Sequence, residues 1–299
     1  MGARRPGREA ARAGGVVELL STPRLALLHL TGDFHPERGE RIAALAALGP
    51  TPVERRATVE QVLAAHTEGY VERLHGLEEH TLLDPDTPAG PTSFDAALLS
   101  AGLALEAVDR GGFALGRPPG HHALADRAMG FCLVNNVAVA ARYAQAELGL
   151  ERVAIVDFDV HHGNGTEAIF RGDDSVLFVS IHQWPFYPWT SGGPGTNDDS
   201  TLNIPLDAGG GDAEYTRAFE ELVEPAVRAF DPHLVLVSAG FDAHAEDPLA
   251  DMRVTQAGFR DLAARCASLA PRCAAVLEGG YNLHTLPGLV AAAWEGFGG

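Results

Sequence analysis

Cysteine is scarce. Cys132, Cys266 and Cys273 are the only three in 299 residues. Their number is odd and none stand as CxxC, which argues against a disulfide framework or an all-cysteine zinc site and fits a reducing cytoplasm. Basic residues are few, 22 against 40 acidic, for a formal net charge of −18. That removes the basic footprint a direct nucleic-acid binder needs, and with it a polybasic membrane contact. No apolar run reaches membrane-spanning length. The first residues, "MGARRPGREAARAGG", lack the apolar centre of a secretory signal and read as an arginine-bearing flexible tail over residues 1–20. GxxxxGK[ST] and GxSxG are both missing, and the glycine run "DAGGGD" (207–212) does not open a Rossmann turn. Phosphate cradling and serine hydrolysis therefore lack their motifs.

What is present is a core and an alternation. Apolar residues make up 46% of the chain, and neither an internal repeat nor a linker divides it, so residues 21–299 read as one domain. "RLALLHL" (24–30) reads as a buried strand and "HPERGERIAALAAL" (35–48) as a helix, with further helices near 58–65 and 68–76. "LDPDTPAGPT" (83–92) is a loop, and 93–109 a long helix with Ser93 as N-cap. Four short apolar runs follow, at 153–160, 176–182, 234–240 and 273–280, separated by helical stretches at 132–148, 163–170, 212–229 and 255–269. Runs this apolar suit strands covered on both faces. The alternation predicts an α/β fold with a central, mostly parallel sheet and helices on either side.

Polar residues gather where each apolar run stops: Asp157, Asp159 and His161; His182; Asp242; Gly279, Gly280 and Tyr281. Ligand sites of open parallel sheets form outside the carboxyl ends of the strands, so these segments deliver to one crevice. In "VDFDVHHGNGT" (156–166) alternate side chains of an extended chain would share a face, turning Asp157, Asp159 and His161 the same way. Carboxylate and imidazole together suit Zn2+ or a similar first-row cation, with Asp242 of "SAGFDAH" as third ligand. "RPPGHHA" supplies His121 and His122, a pair able to act as general base and acid if their pKa values are pushed apart. Asp157 is a partner for one imidazole and Asn164 for the other. Tyr281 in "EGGYNL" could donate a hydrogen bond to a polarised carbonyl, and Phe131 and Tyr187 could wall an apolar slot. His162 is left without a role.

Taken together, "HPERGERI", "RPPGHHA", "GFCLVNN", "VDFDVHHGNGT", "VSIHQWPFYP", "SAGFDAHAEDPLADM" and "EGGYNL" resemble the histone deacetylase family in its broad sense, from residue 35 to about 283. The resemblance implies a three-layer arginase-like fold and zinc-dependent removal of an acetyl group from an acylated amine, acetyl-lysine first. It implies Asp159, His161 and Asp242 as zinc ligands, His121 and His122 as the catalytic histidines, Asp157 and Asn164 as their partners, and Tyr281 as the transition-state tyrosine. It further implies Gly130, Phe131 and Tyr187 as tunnel walls and Asp86 as a rim residue. A structural potassium ion would sit at Ser180 and around Asp157. Leu249 stands where polyamine-selective members can carry an acidic gatekeeper, and so resembles the lysine-type members. Two positions depart from the pattern: Trp189, where many bacterial relatives read glycine in Pro-Gly-Thr-Gly, and Gly39, which replaces a proline. Competing readings are an acetylpolyamine or small-acetamide deacetylase, a binuclear manganese ureohydrolase and a non-catalytic acyl-lysine binder.

Overall fold

The structure is a computed structural model and describes residues 17–299; most of the expected 1–20 tail lies outside them. Strands run β1 Leu19–Ser21, β2 Thr51–Pro52, β3 Thr81–Leu82, β4 Pro88–Ala89, β5 Phe113–Ala114, β6 Val153–Asp157, β7 Val176–Gln183, β8 Thr201–Leu206, β9 Leu234–Ala239 and β10 Cys273–Leu277. Helices run α1 Glu40–Leu45, α2 Val59–Leu63, α3 Glu68–His75, α4 Ser93–Arg110, α5 Asn136–Leu148, α6 Asn164–Phe170, α7 Asp212–Ala218, α8 Glu224–Phe230, α9 Gln256–Ala267 and α10 Leu286–Phe297. Eight strands form one sheet in the order β2-β1-β5-β10-β9-β6-β7-β8, paired in parallel throughout. β3 and β4 make a separate antiparallel pair, β3 just before the predicted 83–92 loop and β4 within it.

Alternation along β6 shows why the strands had to be apolar on both faces. Val153 and Ile155 pack into one core with α4 and α5, while Ala154 and Val156 pack into a second core with α7, α9 and α10. This is the expected three-layer arrangement. The four long apolar runs fall on β6, β7, β9 and β10 as predicted.

The N-terminal region corrects the reading. Residues 24–30 are not a strand: Pro23–Ala26 form a 3-10 turn capped by the Thr22 hydroxyl, and Leu27 and Leu30 are exposed. The strand lies earlier, at Leu19–Ser21, so Leu19 and Leu20 belong to the sheet rather than to a tail. The predicted 35–48 helix shrinks to α1 and a following 3-10 turn, Ala46–Leu48. Ser93 is the first residue of α4, not its cap; its hydroxyl accepts the Gly90 N–H and meets His29. The 212–229 stretch is interrupted by a π-turn at Phe219–Val223, just before Pro225, which has no N–H to continue the α pattern. No helix among the described residues is long and apolar enough to cross a membrane.

Strand order places the site. From β6 the chain continues outward through β7 and β8; from β9 it turns the other way, to β10. β6 and β9 are neighbours, so their carboxyl ends flank the switch point where open α/β sheets leave a crevice.

Candidate active site

β6 ends at Asp157, and the residues beyond it turn rather than extend. The shared face expected for Asp157, Asp159 and His161 is therefore not a strand face. Two side-chain turns replace it: Asp157 Oδ1 accepts the Asp159 N–H at 3.1 Å, and Asp159 Oδ1 accepts the His161 N–H at 2.9 Å. Asp242 follows β9, and its Oδ1 accepts the Val160 N–H across the crevice at 3.0 Å. Donor atoms of Asp159, His161 and Asp242 thus gather within 4.8 Å of one another. His161 Nδ1 lies 3.2 Å from Asp159 Oδ1 and 3.1 Å from Asp242 Oδ2.

Glycine makes that approach possible. A Cβ on Gly279 would stand 2.0 Å from Asp242 Oδ2, and one on Gly240 would stand 2.1 Å from Asp159 Oδ2. Both carboxylates are fully buried. Burial raises the Asp159 carboxyl, but His121 and His161 outweigh it and hold it well below the carboxylate range. Burial, then Asp159, raises Asp242. The His161 imidazole, disfavoured by burial but pressed between the two carboxylates, rises to about 10.

The tandem histidines have the partners expected. His121 Nδ1 lies 2.9 Å from Asp157 Oδ2, and His122 Nδ1 2.7 Å from Asn164 Oδ1. The rings are 4.0 Å apart, yet their charges diverge. Burial lowers His121, but Asp159 and Asp157 overcome it and raise it to about 10. Burial, reinforced by His121 and His161, keeps His122 well below an ordinary imidazole. An amide oxygen can only accept, so Nδ1 of neutral His122 carries the hydrogen and Nε2 keeps the free lone pair.

His122, His161 and Tyr281 line one cavity of about 210 Å³. Gly130, Phe131, Tyr187, Leu249 and Asp86 line the same cavity, so every expected wall and rim residue meets there. Phe131 is edge-on to Tyr281 at 5.7 Å, and Tyr187 is edge-on to His122 at 5.1 Å. His121 lies behind, 3% exposed. Ser180 pairs with Asp157 across β6 and β7, and its hydroxyl is 2.9 Å from His182 Nδ1.

Other residues had no role in the sequence reading. Arg41 is fully buried, donates to the carbonyls of Glu278 and Gly280 and holds its guanidinium 4.9 Å from the Tyr281 ring. Glu278 Oε2 accepts the Gly120 and His121 N–H groups, fixing the turn that presents the histidines. Asp247 accepts the N–H of both Tyr281 (2.7 Å) and Leu249 (3.0 Å). Apart from the local Asp247–Leu249 bond, these contacts join distant segments; the signal in the sequence was that these acids and this arginine sit inside the quoted motifs. At Gly39, the position that departs from proline, a Cβ would come within 2.1 Å of the Ala26 carbonyl oxygen.

A family model described as "Histone deacetylase domain" matches residues 34–297. The chain is 42% identical to "Histone deacetylase 10, chloroplastic" of Oryza sativa subsp. japonica, over 89% of this chain and 70% of that one. It is 39% identical to a "Probable deacetylase" of Archaeoglobus fulgidus, over 89% and 83% respectively. The crystal structure of the HDA15 HD domain superposes with a TM-score of 0.87 at 37% identity, covering 93% of this chain and 90% of that one.

Proposed function

This chain belongs to the histone deacetylase family, and from that premise we propose that it hydrolyses the acetamide of an acylated amine, acetyl-lysine foremost, with one zinc ion on Asp159, His161 and Asp242. The observation that carries this reading is the convergence of that donor group, a neutral imidazole and a tyrosine hydroxyl at the base of one apolar slot. The donor set fits a divalent cation. Two buried carboxylates and an imidazole meet within ligand range, and backbone glycines leave the space that side chains would fill. When bound, such an ion polarises the acetyl carbonyl and acidifies water.

The remaining work falls to side chains. Phe131, Tyr187 and Gly130 enclose the alkyl chain and keep bulk water out. His122, neutral and with Nε2 free, takes a proton from the attacking water. His121, kept protonated by Asp157 and Asp159, holds positive charge beside the reacting centre. The Tyr281 phenol, whose pKa is driven up by burial against the opposing pull of Arg41, stays protonated and donates to the developing oxyanion. Arg41 and Asp247 fix its ring and backbone from behind. As the C–N bond breaks, the proton taken from water is delivered to the departing nitrogen, and the products are acetate and the free amine.

An acetate-release screen over acetyl-lysine peptides, acetylpolyamines and small acetamides, with and without chelator, tests the reading. It should give chelator-sensitive release, greatest on the peptides, with one zinc per chain. Two tightly bound manganese ions, or tight peptide binding by zinc-loaded protein with no acetate formed, would overturn it.

A further inference from the structure

The segment from Trp184 to Gly193 builds one wall of the slot from a row of rings. Phe186 stacks on His161 at 5.4 Å with 21° between planes, and Trp189 stands 5.8 Å beyond Phe186. Trp189 ends the row in solvent, 63% exposed, yet still lines the cavity. Its backbone has φ 66, the left-handed region where glycine is the ordinary choice and an L side chain crowds its own carbonyl. An exposed indole on such a backbone contributes little burial to folding. Conformations of this kind persist where their surroundings over-determine them, and they gather at ligand clamps.

The surroundings here are specific. Ser191 Oγ lies 2.9 Å from His162 Nδ1, and His182 Nε2 lies 2.8 Å from the Gly192 carbonyl. A Cβ on Gly192 would stand 2.6 Å from both imidazoles, so the loop lies flat on them. His162 Nε2 is in turn 2.8 Å from Glu167. The histidine next to His161 thus fastens the loop that carries Trp189, which gives His162 a positioning role.

Asp86 lines the same slot. Its carboxyl lies beside the Thr87 hydroxyl and the Asp84 carboxyl, and it makes no salt bridge to an arginine among the described residues. Asp84 lies beside it, accepting the Asp86 N–H at 3.0 Å. Burial, then the hydrogen bond and charge of Asp84, lifts Asp86 to about 6.

We propose that Trp189 and Asp86 form a clamp at the slot mouth that selects acylated amines bearing a positive charge beside the acylated chain. The carboxylate pairs with the cation, and the indole face covers it. The inference rests on the amide-hydrolase reading above and names the substrate class within it. A basic residue next to acetyl-lysine and the second ammonium of an acetylated diamine present the same chemistry.

The test uses zinc-loaded full-length chain and matched substrate pairs. One pair is an acetyl-lysine peptide with arginine or its neutral isostere citrulline beside the acetyl-lysine. The other is an N-acetylated diamine and the corresponding alcohol. Wild type should favour the charged member by about tenfold in kcat/KM, mostly through KM, and less at high salt. Preference within the peptide pair alone assigns a polypeptide substrate; preference within the diamine pair alone assigns a free polyamine. Trp189→Ala and Asp86→Asn should each cut the ratio below about twofold, and Trp189→Phe should keep it. Equal rates within both pairs, or a tenfold ratio surviving Trp189→Ala, overturns the clamp. If no substrate is hydrolysed, the deacetylase reading fails instead, and calorimetry on the same pairs decides the clamp. Tighter binding of the charged member only with Trp189 present supports it, and equal binding refutes it.

Discussion

Asn164 sets the state of His122 with one bond, its amide oxygen accepting from Nδ1 at 2.7 Å. Burial and two neighbouring imidazoles already keep His122 well below an ordinary histidine, so the acid limb of kcat/KM should lie below pH 6.5. Asn164→Asp would put an anion on the same nitrogen and favour the imidazolium. The acid limb should then move up by about one pH unit or more, read from the pH–rate profile; an unmoved midpoint would remove His122 as the base. Tyr281→Phe should keep its zinc and lose about 10²–10³ in kcat, the usual effect of deleting one oxyanion donor. Near-wild-type turnover on an acetyl-lysine peptide would sink the role given to Tyr281. The histidine partners were legible in the sequence because Asp157 and Asn164 occupy one short motif whose destination the strand pattern gives. Arg41 and Glu278 were not, since their bonds join residues up to 239 positions apart and depend on the sheet closing first.

At the scale of elements, apolar runs long enough to cross a buried sheet announced themselves, and β6, β7, β9 and β10 were readable. β1, β2 and β5 were not: they are two or three residues long, too short for any periodicity, and exist because neighbours pair with them. β8 was missed for another reason, its run being broken by Asn203 and Pro205. The element ends matter most for chemistry. After β10 the chain passes so close to the acids that Gly279→Ala would drive a methyl to 2.0 Å from Asp242 Oδ2 and 2.6 Å from Asp159 Oδ2. We expect zinc affinity to fall about 100-fold, the scale of a displaced ligand support, by competition with a chelating dye. Gly288→Ala is the control. It lies in α10 with its nearest neighbour 3.9 Å away, so it should leave zinc affinity alone. Helix propensity should add about 0.5–1 kcal/mol in denaturant unfolding.

The whole molecule is organised around an unfavourable centre. Eight parallel strands bury two cores, and where β6, β9 and β10 end they bring Asp157, Asp159, Asp242 and Glu278 together, all four fully buried. Burial raises Asp157, Asp242 and Glu278, the last to about 7, and the histidine protons only partly offset the repulsion. The basic residues, all arginine, do not relieve it: Arg41 and Arg117 turn to backbone carbonyls and Glu37 instead. A divalent cation on Asp159, His161 and Asp242 should therefore stabilise the whole domain and not merely the loops that hold it. At about a thousand times its dissociation constant the gain is about 4 kcal/mol. For a domain of this size that is a rise of roughly 5–10 °C in Tm. Asp242→Asn separates the two contributions. Without zinc it removes one of two opposed buried carboxylates, so it should melt within a few degrees of the zinc-free wild type. With zinc it should show no rise, because a ligand is gone. Calorimetric scans of both proteins with zinc and with chelator check this. A zinc-dependent rise that survives Asp242→Asn would place the stabilising ion elsewhere in the fold.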